Sequence, residues 1–238
     1  MIATKRPFAR LLLVPVLVLG AFLVPAVAAA QSSPTQPLLS IESAHAKLTI
    51  DLAGGSIISF RLKSKDLNPL VWNDSGPSGK PRERGHFLCL DRWGPPSVSE
   101  IANGMTFHGE ATKVMWTARA NRTPGELTIE ATLPMAGFHV VREFRLLPDA
   151  AVAVVRETVR NGNALGRPYN MVQHPTIGPP FLDETVVVDS NARRGFMQSS
   201  PMPNPEQPTV VWPQALHEGA PVNLRRLTSD HEPNVVSF

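Results

Sequence analysis

GELTIEATL at residues 125–133, FHVVREFRLL at 138–147 and AVAVVRETVR at 151–160 form the stretch on which the fold turns. In the first segment Leu127 and Ile129 fall on the face opposite Thr128 and Glu130. That period of two belongs to a strand with one face buried. Pro148-Asp149 punctuates the second and third segments, so the pair reads as a hairpin. Outward from here the same signature recurs. Residues 47–51 alternate, and 56–63 (SIISFRLK) follow a Gly54-Gly55 turn signal. Further strands are expected at 69–72, 86–90, 112–118 (Val114 and Trp116 on one face), 169–173 and 185–189. No long helical period competes, and the scattered prolines disfavour helices and suit turns. Many short strands at regular spacing predict an all-β, antiparallel sandwich or barrel.

The N-terminus has a separate logic. Lys5, Arg6 and Arg10 precede a nearly unbroken apolar run over residues 11–27, and Ala28-Ala29-Ala30 follows. This is the layout of a cleavable secretory signal. A membrane anchor is the competing reading, but the run is short of the ~20 residues a span needs, and Pro15 and Pro25 interrupt it. The expected organisation is a signal over 1–30, a polar leader over 31–45 and one β domain over 46–238. The product would be exported to the periplasm or the medium and free of the membrane after cleavage. Residues 1–30 hold three of the 23 Lys+Arg and none of the 20 Asp+Glu, so the remainder carries 20 of each. A chain without excess positive charge offers nothing by bulk charge to nucleic acid or an anionic membrane. With one cysteine, Cys89, no intrachain disulfide can form. Its apolar setting reads as a small buried side chain rather than a reactive thiol. The sequence carries no sign of oligomeric state.

Few motifs survive scrutiny. Residues 74–80 (DSGPSGK) lack the first glycine of a phosphate loop and read as a turn. There is no G-x-S-x-G, no H-E-x-x-H and no Cys/His cluster with metal-ligand spacing. Residues 73–84 and 198–207 read as polar, Pro-containing loops, and NVVSF at 234–238 as a strand just beginning. Of seven histidines, His45, His217 and His231 sit in polar surroundings, while His86 and His139 open or flank strands as structural residues. His108 and His174 differ. Each ends an apolar segment where a Gly or Pro turn begins, a place from which a scaffold presents side chains to a site. Spacing alone leaves functional and structural uses of both open.

Read in order, several segments resemble the galactose mutarotase-like family, the relatives of aldose 1-epimerase. They are Gly54-Gly55-Ser56, Pro69-Leu70-Val71-Trp72, the 103–110 segment around His108-Gly109, Trp116, Asn161-Gly162 and Gln173-His174-Pro175. The resemblance spans about residues 46–189. It implies a large antiparallel β-sandwich with a sugar site on its concave face, a carbohydrate partner and no metal or organic cofactor. It implies anomer interconversion, with His174 as general acid and His108 bonding the sugar, and it places Gln173 beside them. Arg92 could bind a sugar hydroxyl through its planar fork of donors; a surface ion pair with Asp91 or Glu100 is the other reading. The family's base is a Glu from a late strand, and no segment here matches that pattern, so the expectation includes a chain incomplete at its C-terminus. Three functions therefore stay open: an epimerase-type enzyme, a sugar-binding sandwich without turnover, and an interaction domain with no sugar site. The last requires His108 and His174 to lie far apart. For the exported product, N-terminal sequencing is expected to read Gln31 first; a chain still carrying residues 1–30 outside the cytoplasm would contradict the signal.

Overall fold

A computed structural model describes residues 38–73, 80–120, 123–197, 210–217, 220–226 and 236–237. The expected signal over 1–30, the loop at 198–207, and His231 lie outside these residues, as do positions 74–79 of the 73–84 loop. The elements in order are β1 (Leu38–Glu42), β2 (Ala46–Asp51), β3 (Ser56–Leu62), β4 (His86–Leu90), α1 (Val98–Ala102), β5 (Thr117–Ala118), β6 (Glu126–Leu133), β7 (Phe138–Leu146) and β8 (Ala153–Asn161). There follow β9 (Met171–Pro175), β10 (Arg194–Met197), β11 (Val210–Val211), β12 (Gln214–His217), β13 (Ala220–Asn223) and β14 (Val236–Ser237).

Two antiparallel sheets carry the fold. One has the order β1-β2-β3-β4-β9 and the other β5-β6-β7-β8. Their inner faces meet in one apolar cluster. Leu48, Ile50, Ile57, Leu88 and Leu90 come from the first sheet, and Leu127, Ile129, Leu133, Phe138, Val140 and Phe144 from the second. Alternation along β6 and β7 produces this directly, because Leu127↔Phe144, Ala131↔Val140 and Leu133↔Phe138 are cross-strand partners on one face. Each of the Leu, Ile, Val and Phe side chains contributes about 1.5–3 kcal/mol on full burial. Of the two architectures the pattern allows, sandwich and barrel, the antiparallel sandwich is the one observed. Two small sheets, β11-β10-β14 and β12-β13, complete the described residues.

The alternation has one exception. Position 142 of β7 faces the core yet is arginine, with no exposed surface. Its direct cross-strand partner is Glu157, which accepts from Nε at 3.1 Å. Nη1 donates to the Gly55 carbonyl at 2.5 Å, and the guanidinium lies 5.2 Å from the Phe144 ring centroid. A buried cation is tolerated only with such partners.

Several boundaries differ from the sequence reading. The sheet begins at Leu38, inside the segment read as leader, because Leu39 and Ile41 let β1 pair with β2 over five positions. Residues 69–72 make an isolated bridge, Leu70↔Ile177, rather than a strand. Asn68 bends the chain there, accepting from the Phe60 amide and donating to the Leu70 carbonyl. Within 112–118 only β5 is a strand. The Lys113 amide closes a turn on the Glu110 carbonyl, and Trp116 Nε1 reaches back to the Ala111 carbonyl at 2.9 Å. Residues 185–189 are not a strand, since Asp183 takes both the amide and the hydroxyl of Thr185, a local bond that competes with a ladder. Helix α1 has no counterpart in the sequence reading. It is one turn held by a Ser97–Glu100 capping box, too short to show a period.

Replacing Arg142 alone by Met would leave Glu157 without its cation inside the layer, a change expected to cost about 3–5 kcal/mol. The pair Arg142→Met with Glu157→Leu is expected to recover most of it. Urea denaturation of the single and double variants measures both.

Candidate functional site

Strands β4 and β9 are antiparallel neighbours with Phe87 opposite His174. Residues opposite each other share a face. Leu88 and Leu90 point into the core, so Phe87, Cys89 and His174 lie on the other face of the sheet. The His174 ring stacks on Phe87 with centroids 4.3 Å apart and planes 15° from parallel. Phe87 and Cys89 are nonetheless completely buried, because that face is covered as well.

His108 arrives from the segment between α1 and β5. Its own φ is 63° and that of Gly109 is 78°, two consecutive left-handed residues. Glycine is required at 109, since a Cβ there would sit 2.0 Å from the Leu90 carbonyl oxygen. The turn is clamped on Gly94. The His108 amide donates to the Gly94 carbonyl at 3.3 Å, and the Gly94 amide donates to His108 Nδ1 at 3.1 Å. The ring is buried and lies 5.4 Å from His174, 5.5 Å from Phe87 and 3.9 Å from the half-exposed Phe107.

The chemistry of the pair follows from these contacts. Because Nδ1 of His108 accepts, neutral His108 carries its proton on Nε2 and is a donor there. Burial pushes its pKa below the ordinary 6.5; the neighbouring Glu83 carboxylate opposes this, while His174 and Lys113 add to it. His174 is half-buried, and its Nδ1 is a buried atom with no hydrogen-bond partner among the described residues. The Cys89 thiol is pushed up to about 12, by burial first and then by Glu83, which suits an inert packing residue. Among the described residues no three His, Cys, Asp or Glu side chains are grouped to hold a metal ion.

The two histidines expected to act together are therefore adjacent, which the reading as a domain without a sugar site did not anticipate. Gln173 is not with them. Neighbouring residues of a strand face opposite ways, and Gln173 lies on the His86 side, its Oε1 2.9 Å from His86 Nε2. Arg92 is committed to its own loop. Nε and Nη2 donate to the Pro95 carbonyl, and Nη1 reaches Glu100 at 3.5 Å. Of its two readings, the ion pair with Glu100 is the one found, while Asp91 pairs with Arg167.

Sequence reasoning missed Glu83 and Lys113. Glu83 is buried, and its Oε1 accepts from Lys113 Nζ at 2.8 Å. It falls in a stretch whose polar composition reads as surface loop. Several other carboxylates are engaged elsewhere. Glu110 holds the amides of Met135 and Ala136. Downstream of His174, Asp183 is bonded to Thr185 and Asp189 to Arg225, while Glu184 is exposed. Glu206, Glu218, Asp230 and Glu232 lie outside the described residues. A groove of about 520 Å³ lined by Asp91, Glu100, Asn103 and Arg167 does not include either histidine.

No protein-family model matches the sequence, and neither does any curated protein. Solved structures do. A galactose mutarotase-like protein from Lactobacillus casei ATCC 334 matches at 15% identity and TM-score 0.56, over 79% of this chain and 68% of that one. The galactose mutarotase related enzyme of Lactobacillus acidophilus matches at 12% identity and TM-score 0.57, over 79% and 65%. A candidate aldose 1-epimerase from Escherichia coli K12 matches at 16% identity and TM-score 0.54, over 79% and 66%. The chain thus has the galactose mutarotase-like fold. It spans about two thirds of the length of these proteins.

His108 and His86 both have folded pKa values below the ordinary 6.5. The unfolded chain takes up these protons first as pH falls, so their contribution to stability is present above 6.5 and is lost as the medium is acidified toward the folded values. Thermal midpoints measured from pH 8 to pH 5 are expected to drop below pH 6.5, and to drop less in His108→Gln.

Proposed function

We propose that this is an exported carbohydrate-active protein of the aldose 1-epimerase type, interconverting the anomers of a free sugar. The adjacency of the His108 and His174 rings, 5.4 Å apart on one face of the β4–β9 pair in a galactose mutarotase-like fold, carries the reading. Ring opening takes the proton from the anomeric hydroxyl to a base, breaks the C1–O5 bond as the C1 carbonyl forms, and delivers a proton to O5. Closure on the other face of the carbonyl reverses each transfer. His174 in its protonated form is the general acid at O5. His108, a neutral Nε2–H donor, bonds a sugar oxygen. The base is a carboxylate outside the groups engaged above.

A sugar-binding module without turnover is the second reading. It is favoured by Glu83 and Glu110, both already bonded to other groups, and by the absence of any carboxylate hydrogen-bonded to either ring among the described residues.

Polarimetry of freshly dissolved α-D-glucose and α-D-galactose with residues 31–238 separates the two. Acceleration over buffer is expected, reduced about 10²–10⁴-fold in His174→Ala. Saturable sugar binding with no acceleration would replace the first reading by the second.

A further inference from the structure

The groove of about 520 Å³ takes no part in the chemistry assigned to the histidines. Its size falls inside the range of about 300–1,000 Å³ in which small ligands are held. Two stretches of chain join it to the ring pair. Residues 103–108 serve both, since Asn103 and Met105 line the groove while Phe107 and His108 form the ring cluster. Asp91, also a groove residue, directly follows Leu90, which bridges to Gly109 next to His108.

The polar groups of the groove are held in place by the fold. Asp91 accepts from Arg167 Nε at 3.2 Å and pairs with Nη2 as well, and the guanidinium lies 5.6 Å from the Phe138 ring centroid. Asn103 caps α1, and its Nδ2 donates to the Ser99 carbonyl at 2.8 Å. The Met135 amide is fixed on Glu110 at 3.1 Å. Groups set in advance lose little freedom when a ligand arrives. Bonding capacity is left over. Among the described residues no hydrogen bond takes up Asn103 Oδ1, the Ser99 hydroxyl or Arg167 Nη1. These are an acceptor, a group of both kinds and a donor.

The charges are already matched, Asp91 by Arg167 and Glu100 by Arg92. An ionic ligand would have to break one of these pairs, whereas a hydroxyl bonds without disturbing either. Met105 and Met135 add soft apolar walls for C–H groups. A neutral hydrocarbon frame carrying hydroxyls satisfies each part of this lining. We propose that the groove is a second subsite for a neutral sugar unit, joined to the unit held at His108 and His174, so that the preferred ligand is the reducing end of an oligosaccharide. The lining carries the neutral, hydroxylated ligand; its joining to a sugar at the rings rests on the function proposed above.

The test is NMR of the 31–238 chain with ¹³C-labelled methionine methyls, titrated with maltose and lactose and, separately, with glucose and galactose. Met105 and Met135 are assigned by replacing each with Leu. The disaccharides are expected to move both methyls, together with the ring signals of His108 and His174. They are expected to do so at concentrations about tenfold lower than either monosaccharide needs to move the rings, because a linked second unit adds contacts without a second association. Asn103→Ala is expected to raise the disaccharide concentration required by about five- to tenfold, the loss of one hydrogen bond. Ser99→Ala, an exposed change on α1, is expected to act in the same direction and supplies the reading if Asn103→Ala disturbs the helix. Disaccharides that leave the two methyls in place overturn the proposal; if they still move the rings, the function proposed above survives. Disaccharides that bind no more tightly than monosaccharides, or methyl shifts without ring shifts, also overturn it. Polarimetry on the same samples reads the other question separately. Absence of anomerisation while methyls and rings both shift would remove the enzymatic reading and leave the subsite standing.

Discussion

The candidate site hangs from the pairing of β4 with β9. Five consecutive partners, from His86↔Pro175 to Leu90↔Met171, fix which side chains share a face. That register lays His174 on Phe87 and turns Leu88 and Leu90 into the core. The same β4 then receives the 109 turn, because Gly109 bridges to Leu90 with no room for a side chain between them. One ladder thus joins the apolar layer that stabilises the sandwich to the two imidazoles on its outer side.

The strands that alternate cleanly were legible from sequence. β6, β7 and β8 appear within two residues of their expected bounds, since period-two burial is a property of the local string. The segments that failed are those where side chains bond their own neighbours. Asn68, Asp183 and the Ser97–Glu100 box each satisfy backbone groups locally, and a hydropathy pattern does not register that competition. The unbroken apolar run HFLCL did carry a usable signal. A strand apolar on both sides is covered on both sides, and the covering segment is the one that brings His108.

Site residues divide the same way. His108 and His174 stood out because each ends an apolar run at a turn. Gln173 was grouped with His174 by motif, and strand geometry separates them. Arg92 had two readings, and its surroundings chose the ion pair. Glu83 and Lys113 could not be found in advance, because their pairing joins residues thirty positions apart. Two ion pairs have a buried member: Arg142, bonded to its cross-strand partner Glu157, and Glu83, bonded to Lys113.

The chain crosses from one sheet to the other between β8 and β9, over an exposed span of residues 162–170. Its composition is that of an ordinary loop, the kind of segment in which homologous chains gain and lose residues freely. The phase of β9 is set instead by its ladder with β4. A one-residue slip would carry His174 into the layer between the sheets and bring its neighbours out in its place. Changes in loop length leave the site intact as long as that ladder keeps its five partners, whereas a slip of the ladder would silence the site while leaving both histidines in the sequence.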